Sequence, residues 1–204
     1  MKLLEARILE DAIVLPGAVL RVDSFINQQI DTELLEQMAD EWVEHFKDKE
    51  INKVLTIESS GIAIAYPVAR KLNVPLVFAK KAKTLNVGDD VYTAQVRSYT
   101  QQTIRTSLVE KRFLNADDNV LLVDDFLANG FAMEGLISIC EQAGATPVGI
   151  CIAIEKGFQE GGKNLRDQGW IVDSLAIIES MDPENNSVTF TDQSSVEPTV
   201  NHES

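Results

Sequence analysis

One stretch constrains this chain more than any other: Val120 to Gly135 reads VLLVDDFLANGFAMEG. VLLVDD (Val120 to Asp125) has the continuous apolar character of a strand buried on both faces, FLANG is turn chemistry, and Met133 to Ala143 reads as a helix ended by Gly144. A loop between a buried strand and a helix gathers unpaired N–H groups at the positive end of the helix dipole. The backbone of Ala128, Asn129, Gly130, Phe131 and Ala132 therefore makes a candidate phosphate site, with Gly130 allowing close approach. Asp124 and Asp125 end the strand beside it, where two carboxylates can accept from ribose hydroxyls or share a magnesium ion.

The rest of the chain repeats this grammar. KVLTI (Lys53 to Ile57) is a short strand, ESSG follows, a helix is expected over Ile62 to Lys71, and VPLVFA (Val74 to Ala79) is the next strand, so the segment reads as a βαβ unit. Val148 to Ile154 supplies another buried strand. Strands alternating with helices indicate an α/β fold with a mostly parallel central sheet covered on both faces, whose ligands sit beyond the carboxyl ends of the strands. The loops after Ile57, Val123 and Ile154 then converge on one crevice. Upstream, Thr32 to Lys47 places Leu34, Leu35, Met38, Trp42, Val43 and Phe46 on one helical face, with Asp31 as cap. Val91 to Ser98 alternates like a strand among polar neighbours, which suggests a flexible flap that leaves the sheet.

In the ESSG loop, Ser59, Ser60 and Gly61 offer donors for a second anionic group. Lys80, Lys81 and Lys83 follow the strand VPLVFA, and Arg97, Ser98 and Tyr99 lie in the flap, where cations and hydroxyls can close over a diphosphate. IEKGF places Lys156 and Phe158 after what reads as the last long strand: a hydrogen-bond donor and a ring face for stacking.

The acid pair and loop resemble the phosphoribosyl diphosphate signature of type I phosphoribosyltransferases. The common form has Thr-Gly-Thr in the loop, where this chain has Asn129, Gly130, Phe131 and Ala132. DDFLANG together with IESSG and IEKGF looks like the bacterial xanthine subfamily, over about residues 1 to 180. The resemblance implies the type I fold, with a single domain over 1–190. A small N- and C-terminal hood over the base is expected mainly from residues 1–31 and the segment after about 157. It implies transfer of a phosphoribosyl group to xanthine, with Asp124 and Asp125 catalytic, residues 128–132 on the 5′-phosphate, Ser59 to Gly61 on pyrophosphate, and Leu20, Asn27, Lys156 and Phe158 on the base. In the flap, Ser98 with Tyr99 matches the family's Ser-Tyr pair, and Lys81 is a secondary candidate. It also implies magnesium carried mainly by the substrate, no dedicated protein metal site, and a homodimer. A preference for guanine or hypoxanthine, or a non-catalytic sensor of phosphoribosyl diphosphate, are the alternatives.

Charge narrows the field. The formal net charge of −14 disfavours nucleic acid and anionic membranes as partners. No stretch approaches the roughly 20 apolar residues of a membrane helix, and the start lacks a signal-peptide core, so a cytoplasmic protein is expected. Cys140 and Cys151 lie in apolar segments and read as core side chains. The last residues, 191–204, read as an acidic disordered tail. His45 and His202 belong to no catalytic constellation and are expected to be idle.

Overall fold

The computed structural model describes residues 1–81, 90–98 and 103–193, with the side chains of 96–98 and 103–105 left aside. Its central sheet is built around the buried run that dominates the sequence. That run is strand β7 (Asn119–Leu127), with β3 (Lys53–Ile57) on one side and β8 (Thr146–Lys156) on the other, all parallel. β4 (Leu76–Ala79) lies beyond β3, and β9 (Val172–Asp182) beyond β8, both parallel, and β10 (Ser187–Phe190) closes the far edge antiparallel. The order β10-β9-β8-β7-β3-β4 reverses direction between β3 and β7. A sheet that switches there opens a crevice at the carboxyl ends of those two strands.

Period-two alternation sorts the side chains of these strands onto two faces. Leu121 and Val123 of β7 and Cys151 and Ala153 of β8 join one core cluster with Leu34, Leu35, Met38 and Trp42 of α2 (Thr32–His45) and Ile64 and Val68 of α3 (Ser60–Leu72). Val120 and Leu122 with Ile150 and Ile152 face the other cluster, covered by Leu136, Ile139 and Cys140 of α4 (Phe131–Ala143) and Leu165 of α5 (Glu160–Asp167). Asp31 caps α2 through the Leu34 N–H at 3.1 Å. Both cysteines are buried and free, and burial pushes the Cys140 thiol up to about 12 and the Cys151 thiol up as well.

Packing under α2 leaves one position no slack. A methyl group at Gly149 would stand 2.1 Å and 2.6 Å from ring carbons of Phe46. Overpacking of this kind costs about 2 kcal/mol, so Gly149→Ala is expected to lower Tm by about 5 °C with turnover unchanged, as thermal unfolding and a steady-state assay would show.

Two appendages complete the chain. β5 (Val91–Ser98) and β6 (Thr103–Glu110) pair antiparallel outside the main sheet, as the flap reading requires, and an isolated Lys80–Leu108 bridge joins β6 to the residue that follows β4. The second is a hood made from α1 (Lys2–Asp11), the hairpin β1 (Ile13–Leu15) with β2 (Val19–Arg21), and a wide helical turn, Asp23–Asn27. Asn186, at the turn between β9 and β10, clips the hood in place: its Oδ1 accepts from Val14 N–H at 2.8 Å and its Nδ2 donates to the Ala12 carbonyl at 3.3 Å.

Three expectations are corrected. Asp124 and Asp125 lie within β7 instead of ending it, because β8 continues alongside and pairs Phe126 with Ile154 and Leu127 with Glu155. Lys156 is the last residue of β8, and β8 is not the last long strand, since β9 follows it. The segment after 157 consequently gives most of its length, as α5 and β9, to the central layers, and reaches the hood through the β9–β10 turn. The tail from residue 194 lies outside the described residues.

Candidate active site

α3 and α4 both start where parallel strands end, so their N-termini open on the same crevice. α4 starts after Gly130, whose φ of +87° is one that residues with side chains rarely adopt. That position has no side chain to cap the helix, so the first turn of α4 makes no side-chain cap bond. α3 starts at Ser60, so Ser59 and Ser60 sit at its mouth, exposed and half-buried, without a side-chain cap.

The mouth of α3 reaches the acid pair. A methyl group at Gly61 would lie 3.1 Å from an Asp124 carboxylate oxygen and only 2.1 Å from Thr56 Oγ1, so only glycine lets α3 begin this close to the acid pair. Thr56 is fully buried, and its hydroxyl has no hydrogen-bond partner among the described residues. Glu58 ties in the neighbouring loop: its N–H donates to the Ala79 carbonyl at 3.0 Å, and its carboxylate accepts from Lys81 N–H at 2.7 Å. Lys81 thereby stands at the site's edge, where its charge acts on Asp124.

Asp124 and Asp125 are both nearly buried, and the Asp125 N–H donates to Asp124 Oδ1 at 3.0 Å. Burial, then the adjacent Asp125 charge, hold the Asp124 carboxyl well above the usual carboxylate range, and Lys81 offsets this in part. Such a pair lacks positive charge. Hard oxygen ligands side by side suit a divalent cation such as magnesium. Among the described residues no group of three or more His, Cys, Asp or Glu side chains is placed to hold one.

Lys156 occupies the end of β8. Its ammonium donates to the Ala18 carbonyl, in the turn of the β1–β2 hairpin, at 2.8 Å, and lies 5.5 Å from the centroid of the Phe126 ring. Burial lowers its pKa. Phe126, half-buried directly after the acid pair, went unnoticed in the sequence because FLANG reads as a turn; an aromatic following two acids on a buried strand was the available signal. Phe158 is exposed two residues beyond Lys156, Asn27 is exposed at the end of the wide helical turn, and the Leu20 side chain is buried in the hood's core. Tyr99 and Lys83 lie outside the described residues, as do the side chains of Arg97 and Ser98. His45 is not idle: its Nδ1 pairs with Asp173 at 2.5 Å, joining α2 to β9 away from the crevice.

The model of the phosphoribosyl transferase domain matches residues 24–191, spanning the sheet and both anion loops. The chain belongs to the phosphoribosyltransferase family. Among curated phosphoribosyltransferases, the xanthine phosphoribosyltransferase of Bifidobacterium adolescentis is 58% identical over 191 residues, covering 93% of this chain and 99% of that one. The enzyme of the same name from Finegoldia magna is 53% identical over 192 residues, covering 94% and 100%. Among solved structures, the adenine phosphoribosyltransferase of Giardia lamblia in complex with 9-deazaadenine has a TM-score of 0.69 at 29% identity, over 82% of this chain and 92% of that one. The Saccharomyces cerevisiae adenine enzyme has a TM-score of 0.69 at 20% identity, over 86% and 99%, and bears on the fold alone. Base preference among these phosphoribosyltransferases thus varies over a common frame.

Proposed function

We propose that the chain is a xanthine phosphoribosyltransferase of purine salvage, which transfers the 5-phosphoribosyl group of phosphoribosyl diphosphate to N9 of xanthine and releases xanthosine 5′-monophosphate and pyrophosphate. The observation that carries this reading is a buried carboxylate pair met directly by the glycine-dependent mouth of α3, on the strand that leads into the glycine-dependent mouth of α4, with a half-buried lysine bonded to the β1–β2 turn nearby. It is supported by near full-length kinship with enzymes named for this reaction.

In this reading the backbone N–H groups of 128–132 hold the 5′-phosphate, Asp124 and Asp125 accept from the ribose hydroxyls, and Ser59, Ser60 and Gly61 take the pyrophosphate. The ribose ring carbon that loses pyrophosphate gathers positive charge, and fixed carboxylates beneath it lower the barrier without reorganising. Magnesium, brought with the diphosphate, supplies charge neutralisation at the leaving group. Lys156 orients a 6-oxopurine by donating to its oxygen, backed by the Phe126 ring, while Leu20, Asn27 and Phe158 belong to the hood side of the base. Adenine, with an amino group there, offers the half-buried ammonium a donor where a 6-oxopurine offers an acceptor. Lys81, Ser98 and Tyr99 are the flap's contribution. The active form is a homodimer in the cytoplasm, a setting that accords with two free buried thiols, and neither nucleic acid nor membrane takes part. No helix among the described residues is long and apolar enough to cross a membrane.

The test is pyrophosphate release from phosphoribosyl diphosphate and magnesium with xanthine, guanine, hypoxanthine or adenine supplied separately. Xanthine is expected to lead. Lys156→Gln is expected to lower kcat/KM for xanthine by about 10- to 100-fold while the KM for phosphoribosyl diphosphate stays put. Binding of phosphoribosyl diphosphate with every base inert would overturn the enzyme reading in favour of a sensor.

A further inference from the structure

Behind the 128–132 loop stands an ion pair, its carboxylate buried and its arginine open to solvent on one side, that the reading above leaves without work. Glu155, at the end of β8, is 3% exposed. Arg166 of α5 grips its carboxylate with two parallel bonds, Nη1 to Oε1 at 2.8 Å and Nη2 to Oε2 at 2.7 Å, and Ser174 of β9 donates to Oε2 at 2.5 Å. A carboxylate this enclosed is costly to bury and is held by charge-assisted bonds from two different elements, so its geometry is fixed from both sides.

What the pair fixes is the first turn of α5. A methyl group at Gly162 would fall 1.9 Å from Glu155 Oε1 and 2.7 Å from Arg166 Nη1, so the turn rests directly on the ion pair. On its other side, a methyl group at Gly161 would fall 2.3 Å from the Ala128 carbonyl oxygen and 2.6 Å from Gly130 N, and the Gly161 N–H donates to that carbonyl at 3.0 Å. Ion pair, helix turn and loop are stacked with no gap in which any of them can shift.

We infer that Glu155 and Arg166 are positioning residues for the 5′-phosphate loop, acting through Gly161 and Gly162. This rests on the assignment of residues 128–132 to that phosphate. A pair that serves stability alone would lower Tm when cut and leave substrate constants untouched. A pair that holds the loop in register changes recognition of the 5′-phosphate and leaves pyrophosphate and xanthine alone.

The experiment compares Arg166→Met, Arg166→Lys, Ser174→Ala, Gly161→Ala and, as a direct change to the loop, Gly130→Val. For each, KM for phosphoribosyl diphosphate and for xanthine, kcat, and inhibition by ribose 5-phosphate and by pyrophosphate are measured. Arg166→Met and Gly161→Ala are expected to raise the KM for phosphoribosyl diphosphate and to weaken ribose 5-phosphate inhibition about 10-fold or more, the loss of a charge-assisted contact's worth of order. Pyrophosphate inhibition and the xanthine KM should change little. Arg166→Lys, which keeps the charge and loses the fork, should recover only part. Ser174→Ala removes one bond and keeps the fold testable if the arginine variants fail to fold; a smaller shift in the same direction is expected. If Gly130→Val weakens ribose 5-phosphate but Arg166→Met, Gly161→Ala and Ser174→Ala do not, the positioning role is overturned and the loop assignment stands. If Gly130→Val also leaves ribose 5-phosphate inhibition unchanged, the loop assignment falls, and the positioning role with it.

Discussion

Asp125→Asn should fold like the parent and lose turnover by on the order of 100-fold or more, the scale on which removing one fixed electrostatic partner of a transition state is felt. Asparagine is nearly isosteric with aspartate, and β7 is held by ladders to β3 and β8 that involve no side chain of residue 125. What disappears is a negative charge and an acceptor that the proposed function sets beside the ribose. Circular dichroism and thermal unfolding report the fold, and pyrophosphate release reports turnover. Full turnover in a folded Asp125→Asn would leave the acid pair with a structural role only.

Asp124→Asn should go further in one respect, gaining stability while losing activity. Asp124 carries its proton in the folded chain at pH values where the unfolded chain, with an ordinary value of 3.8, has released it. The folded state binds more protons, so the contribution is fully present below the unfolded value and is lost as pH rises through the raised folded value. At neutral pH the native protein therefore bears a cost that asparagine removes. A gain of about 1 kcal/mol is a reasonable scale for relieving such a site, or about 3 °C in Tm. The gain should shrink as pH is lowered toward 4, which separates it from a packing effect of the same size. Thermal unfolding across pH checks it, and turnover in the same preparations should be strongly reduced.

Local residue chemistry and long-range geometry were unequally legible in the sequence. VLLVDD followed by a glycine loop was readable because a continuous apolar run, two acids and a left-handed glycine each have one plausible use in that order. Asp31 as a cap and Gly144 as a helix end were readable for the same local reason. β9 escaped notice because VDSLAIIESMD mixes buried and polar residues, as a strand does when only β10 lies beyond it. Glu155 was hidden by its neighbours: beside Lys156 and Gly157 it reads as one more polar loop residue, and its partners Arg166 and Ser174 lie 11 and 19 positions away. Gly61, by contrast, reads in the sequence as one donor among three in the ESSG loop, whereas its lack of a side chain is what fits it between Thr56 and Asp124.

The clip between Asn186 and the β1 hairpin joins residues 172 positions apart. Chains are made from the amino end at about 5–20 residues per second, so the first hairpin to leave the ribosome waits on the order of ten seconds or more for the side chain that secures it. Both anion loops are synthesised well before that moment. On the proposed reading, a growing chain thus owns its phosphate loops before it owns a secured cover for the base, and Leu4, Ile8 and Val14, buried in the finished protein, spend the interval without their C-terminal neighbours. Slow synthesis near the end of the message would lengthen the period in which this apolar segment is open to chaperones or to other nascent chains.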